Sequence, residues 1–267
     1  MNWKRIIITA VYDLRYSLLR LKGLVFLIPY FFFWYLVLKF LYDNSGELLT
    51  STESLLFFSW LLRADIAQKL LILHPPTLSV FFITTLATIP FFAMLSGNDQ
   101  TAGDSGRQTF RFFLTRCTRL EIYTGRFLSH YLLLAMATLI TVILAAGISF
   151  MNDQFSNTET LNYALHIFLL ILVYILPFVA FMSLVSALMS SALSALLVSV
   201  TVYTLFLITG TYVTYKFSTP VSLVPSGIKE YLFDINPGDL QYAIAGLLGY
   251  FLVYISLGWL IFRQRNI

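Results

Sequence analysis

Few side chains in this 267-residue sequence are equipped for chemistry, and their placement excludes most of it. The lone cysteine, Cys117, rules out an intramolecular disulfide, and three widely spaced histidines give no Cys/His cluster of metal-ligand spacing. Cys117 therefore reads as an inert, structural thiol. His130 and His166 each lie close to the edge of an apolar stretch, where a packed or interfacial ring is a simpler reading than a proton relay. Small residues recur at spacings of three and four at Ser183, Ser186, Ala187, Ser190, Ser191, Ser194 and Ala195. That pattern suits close helix packing better than a serine nucleophile. No phosphate-cradling loop of the form G-x-x-x-x-G-K followed by Ser or Thr is present, so ATP cannot be bound in the P-loop manner. If this chain moves a substrate uphill, the energy enters through a partner.

Charge is concentrated in one place. The polar island Ser96 to Arg126 carries Asp99, Asp104, Arg107, Arg111, Arg116, Arg119, Glu121 and Arg126, eight of the thirty charges. Five of the eight are arginines, and the apolar triplet Phe112, Phe113 and Leu114 sits among them. A solvated linker has no use for that triplet. The island reads instead as a short amphipathic helix at the boundary of membrane and cytosol, presenting a docking surface.

The elements that hold this island are apolar. At 58% hydrophobic and 11% charged residues, with mean hydropathy +0.80, the chain lies far from soluble proteins, which carry about a quarter charged residues. The fold class expected is all-α: one polytopic membrane domain over residues 1–267, with six spans near 23–42, 78–95, 127–150, 163–186, 191–212 and 242–262. Ahead of them, Trp3, Ile6, Ile7, Ala10, Val11, Leu14, Leu18 and Leu21 mark one face of a helix whose basic residues lie off that stripe, the pattern of an interfacial helix. A cleaved signal peptide does not fit, because the basic part is long and no small-x-small site follows the apolar run. Residues 43–76 include SLLFFSWLLRADIAQKLLILHPP, which Arg63, Asp65 and Lys69 break before spanning length. An outer amphipathic helix is expected there, with a tilted or re-entrant segment as the alternative. Residues 213–241, rich in Pro and Gly around GIKEYLF, are expected to form a folded loop.

Six spans divide the charges unevenly. Lys4, Arg5, Arg15, Arg20, Lys22, Arg107, Arg111, Arg116, Arg119, Arg126, Arg263 and Arg265 fall on one side; Lys39, Arg63, Lys69, Lys216 and Lys229 fall on the other. Twelve basic residues against five places both termini and the arginine-rich island in the cytoplasm, for a chain of the cytoplasmic (inner) membrane. The span interiors hold no Asp or Glu, which disfavours a proton- or sodium-driven transporter.

The run GRQTFRFFLTRCTRLEIYTGRFL resembles the first cytoplasmic segment of ABC type-2 transporter permeases. Thr109, Arg111, Leu114, Thr115, Arg116, Arg119, Gly125 and Arg126 match its pattern, while Gln108 replaces a glycine and Cys117 a common proline. The resemblance implies the transmembrane permease subunit of an exporter, with a coupling helix between spans two and three that fits a groove in a separate cytoplasmic ABC ATPase. It implies that Arg111, Arg116 and Arg119 face acids of the ATPase or lipid phosphates, that Phe112, Phe113 and Leu114 anchor the helix, and that Gly125 permits a bend into span three. No cofactor is expected in this chain itself, since ATP and magnesium belong to the ATPase. The other partners implied are a second permease copy or a homologous permease, and membrane lipids; nucleic acid is not among them.

Two rivals remain. An intramembrane enzyme would need paired carboxylates, a Ser/His pair or a histidine cluster at membrane depth, which the spans do not supply. A non-transporting sensor or assembly subunit could use the same docking surface. Arginines beside membrane helices also serve as topology signals and contacts to anionic lipid.

Overall fold

The computed structural model describes residues 2–19, 21–44, 70, 73–103, 117–153, 155–217, 224–233 and 238–265. Among them, α1 (Trp3–Leu19) precedes six helices long and apolar enough to cross a membrane: α2 (Leu21–Asn44), α3 (Pro76–Gly97), α4 (Arg119–Asn152), α5 (Asn157–Leu188), α6 (Ala192–Phe217) and α7 (Asp239–Gln264). No strand occurs among the described residues. A 3-10 helix, Pro225–Phe233, lies between α6 and α7 and buries Ile228, Leu232 and Phe233, as a folded loop around GIKEYLF requires.

All six expected spans coincide with helices, but several run past the expected ends. The third begins at Arg119 and not near residue 127, because Thr118 and Glu121 form a capping box, in which the Thr118 hydroxyl accepts from the Glu121 amide while the Glu121 carboxylate accepts from the Thr118 amide. Ser156 and Glu159 do the same for α5, which therefore starts at Asn157 and shrinks the loop expected over 151–162. The turn between α5 and α6 falls within the expected Ser/Ala cluster, at Met189 to Ser191. Of the outer segment 43–76, residues 45–69, 71 and 72 lie outside the described residues.

Helices α3 and α5 form the interior, and α6 and α7 are mostly turned outward. The core is aromatic: the Trp34 and Phe81 rings are 4.6 Å apart, Tyr30 and Phe92 4.9 Å, and Tyr174 and Phe178 4.9 Å. Buried tyrosine hydroxyls find partners, as burial demands. Tyr174 donates to the Leu86 carbonyl at 3.1 Å, and the Tyr30 hydroxyl lies 3.3 Å from that of Thr141. At one end of the bundle Thr77 of α3 bonds Asp153 beyond α4 at 2.9 Å, and His74 stacks on Tyr163 at 4.2 Å. Asn2 and Arg265, near the two ends of the chain, both meet the start of α4, so they share the opposite end.

Candidate functional site

The arginine-rich island divides at the limits of the described residues. Thr109, Arg111, Phe112, Phe113, Leu114 and Arg116 lie outside them, and with them the body of the expected coupling helix. Both flanks of that segment are described, and both are tied into the bundle.

On the leading side, Gly97 ends α3 and the chain turns through Gln100, Thr101 and Ala102, all buried. The amides of Thr101 and Ala102 donate to Ser186 Oγ at 2.8 and 3.0 Å. Ser183, one turn earlier on the same face of α5, donates its hydroxyl to Gln100 Oε1. The Gln100 carbonyl in turn accepts from Arg126 Nη1 of α4. Ser183 and Ser186 are therefore packed small residues, as expected, and also the donor and the acceptor, respectively, that hold the exit from α3.

On the trailing side, Arg119 opens α4 with its guanidinium folded across the end of α7. Its Nη1 donates to the carbonyls of Arg263 at 2.8 Å and Arg265 at 2.7 Å, groups a helix end leaves unsatisfied. Arg265 repeats the device on α5, where its Nη1 donates to Ala187 and Met189 carbonyls, each at 2.8 Å. Glu121, besides its capping role, accepts from the Asn2 amide at 2.9 Å and lies 3.9 Å from Arg5. Those contacts dock α1 against α4.

Gly125 sits inside an unbroken α4. A Cβ there would lie 2.9 Å from Thr9 Cβ and 3.2 Å from the Ile6 carbonyl, so the glycine serves the close approach of α1. The next residue, Arg126, is buried, with Nε 3.6 Å from Asp13 Oδ2 of α1. Of the α1 stripe, Ile6 and Ala10 are buried and Leu14 packs on the core, whereas Trp3, Ile7 and Val11 are exposed.

Between α1, α2, α3 and α4 this end forms a partly open cavity of about 490 Å3, lined among the described residues by Tyr12, Asp13, Tyr16, Asn98, Asp99, Gln100, Arg126 and His130 together with Phe26, Leu95 and Leu133. His130 hydrogen-bonds to the Ser96 carbonyl, and its Nδ1 is buried with no hydrogen-bond partner among the described residues.

Sequence reading did not single out Asp13, Gln100, Glu121 or Arg265. The Thr118-x-x-Glu121 and Ser156-x-x-Glu159 spacings were readable signals for two helix starts. The Asp13–Arg126 and Gln100–Ser183 pairs join positions far apart in the chain, and no local pattern announces them.

A family model described as "Protein of unknown function (DUF2705)" matches residues 75–267, which include every element of this end except α1 and α2. No curated protein matches the chain.

Proposed function

We propose that this chain, which belongs to the DUF2705 family of proteins of unknown function, is the permease subunit of an ABC-type exporter, driven by a separate ATP-binding subunit. One observation supports this reading above the rest. The segment 104–116, which carries the arginines and the Phe112, Phe113, Leu114 anchor, is flanked by two polar locks, Gln100 to Ala102 buried against α5 and Arg119 against the end of α7. Load applied to a surface so held is passed to α4, α5 and α7 rather than absorbed by a slack loop. The charge asymmetry supports a cytoplasmic position for this end. Helix α1, with Ile7 and Val11 outward and Arg15 beside them, then lies along the inner interface, and the outward faces of α6 and α7 are available to lipid or a second permease copy.

The test is co-purification with an ATP-binding subunit encoded beside this chain. Replacing Phe112 and Phe113 with Ser removes roughly 1.5 to 3 kcal/mol of apolar burial for each ring. The ATPase should then be lost from the complex while the chain still inserts. Full ATPase association and transport by this variant, and by Arg111→Glu and Arg116→Glu, would reduce the segment to a lipid anchor.

A further inference from the structure

The two helices that form the interior are pinned together near both ends and interrupted between. Toward the Thr77–Asp153 end, Ser79 Oγ of α3 lies 3.4 Å from the Tyr163 hydroxyl of α5. At the other end the Thr101 amide donates to Ser186 Oγ at 2.8 Å, and Ser183 donates to Gln100 Oε1. Between these ties lie two buried prolines, Pro90 in α3 and Pro177 in α5. A proline has no N–H to return to the carbonyl four residues earlier, and its ring crowds that carbonyl. In α3 that carbonyl belongs to Leu86. The turns around it are loosened further, because Thr84, Thr85 and Thr88 fold their hydroxyls back onto α3 carbonyls at 2.9, 2.7 and 2.9 Å, a contact that bends helices.

Lipid offers no donor to a carbonyl freed at membrane depth, so a neighbouring helix must supply one. Tyr174, fully buried on α5, donates its hydroxyl to the Leu86 carbonyl at 3.1 Å. It stands three residues before Pro177, and its ring meets that of Phe178, the residue after that proline, edge-on at 4.9 Å. The break in α3 is thus bridged from beside the break in α5. Such a bridge differs from the helical bond it replaces. A phenol on a side chain lets go without unwinding either helix, and the interrupted point is then where α3 bends at least cost. We infer that Pro90 makes α3 a hinge and that the Tyr174 hydroxyl is the latch that holds it in its present course. With the latch open, the parts of α3 and α5 beyond their prolines, bound to each other through Gln100, Thr101, Ser183 and Ser186, swing as one against α6, whose Tyr203 ring lies 6.1 Å from that of Phe178. Every residue of the device lies in this chain, so the inference stands apart from the coupling reading.

The experiment uses the full chain without an ATPase and joins a mutant cycle to a distance measurement. Tyr174→Phe keeps the ring on Phe178 and removes only the hydroxyl. Its unfolding equilibrium in mild detergent should shift about tenfold toward the unfolded chain, the scale of a buried carbonyl left without a donor. In a Pro90→Ala background an amide again answers Leu86, and the same substitution should shift the equilibrium less than about twofold. Nitroxides attached through Leu188→Cys and Leu205→Cys, both at exposed positions and over Cys117→Ser, report the swing in nanodiscs by electron–electron dipolar spectroscopy. One distance between the labels is expected with Tyr174 in place, and a second population with Tyr174→Phe, which adding Pro90→Ala should abolish. A Tyr174→Phe shift that is absent in the unmodified chain or equal in both backgrounds would overturn the inference, and so would a label distance that Tyr174→Phe leaves unchanged. The distance decides the matter even where Pro90→Ala fails to fold.

Discussion

The ion pair between Asp13 and Arg126 is the sharpest test of how α1 belongs to this protein. The two side chains retain 21% and 7% of their exposure, and Nε stands 3.6 Å from Oδ2. At an effective dielectric constant of about 20, a pair at that distance attracts by roughly 4.6 kcal/mol before desolvation is charged against it. Burial of the guanidinium cancels part of that attraction, so a net coupling of about 1 to 3 kcal/mol is the reasonable expectation. The perturbation is a double-mutant cycle of Asp13→Asn and Arg126→Gln, which removes charge and keeps hydrogen-bonding capacity. Unfolding free energies in mild detergent give the coupling as the difference between the double variant and the sum of the singles. Arg126→Gln alone should cost more than Asp13→Asn, because Arg126 also serves the Gln100 carbonyl. A coupling below about 0.5 kcal/mol, the usual error of additivity, would refute the docking of α1 on α4. An α1 that merely floats on the lipid surface leaves Asp13 in water, and the cycle then closes near zero.

Three further outcomes follow from single contacts. Gly258→Val should destabilise by about 1 to 3 kcal/mol as an overpacked site, because a Cβ there would stand 3.0 Å from the Leu184 backbone and 2.2 Å from the Tyr123 hydroxyl; wild-type thermal stability in detergent would count against the α5–α7 packing. Cys117 is partly accessible at the end that carries Asn2 and Arg265, so a membrane-impermeant maleimide should label it in inside-out vesicles and not in intact cells, and external labelling would reverse the proposed orientation. Burial and the neighbouring His166 hold the His74 imidazole below its ordinary value, so the unfolded chain binds more protons, and stability is full above about pH 6.5 and declines as pH falls below it. His74→Phe, which keeps a ring on Tyr163, should flatten the fall in melting temperature between pH 7.5 and 5; an unchanged slope would assign that fall to other groups.

The six helices were legible because apolar length is a property of consecutive residues, and a bilayer-sized run needs no knowledge of its neighbours. Their starts were legible in principle too. Thr118 to Glu121 and Ser156 to Glu159 are capping boxes, and hydropathy alone, which stops at the first charge, passes over them. The face of α1 was half legible: periodicity marks a stripe of Trp3, Ile6, Ile7, Ala10, Val11 and Leu14, but which edge packs depends on α4, where Gly125 offers the space and Arg126 the charge. The result is burial for Ile6 and Ala10 and exposure for Ile7 and Val11. Ser183 and Ser186 show the same limit, since a small residue at helical spacing predicts close approach and says nothing of the Gln100 amide or Thr101 backbone it will meet.

The arginines of the island divide by what they can reach. Arg119 commits its Nη1 to the carbonyls that end α7, and Arg126 is buried between Asp13 and the Gln100 carbonyl, so neither guanidinium is turned wholly to an external acid. Their matches to the permease pattern are therefore compatible with a transmitting role more than a contacting one. Arg265 extends the chain of attachments from α7 to the end of α5, and Ser186 of α5 returns it to the exit of α3. The circuit closes on the two flanks of segment 104–116, and α6 contributes none of these bonds. Under the permease reading, a partner that moves this segment displaces α3, α4, α5 and α7 together. The relative motion needed to pass a substrate must then fall between that group and α6, or between two copies of the chain.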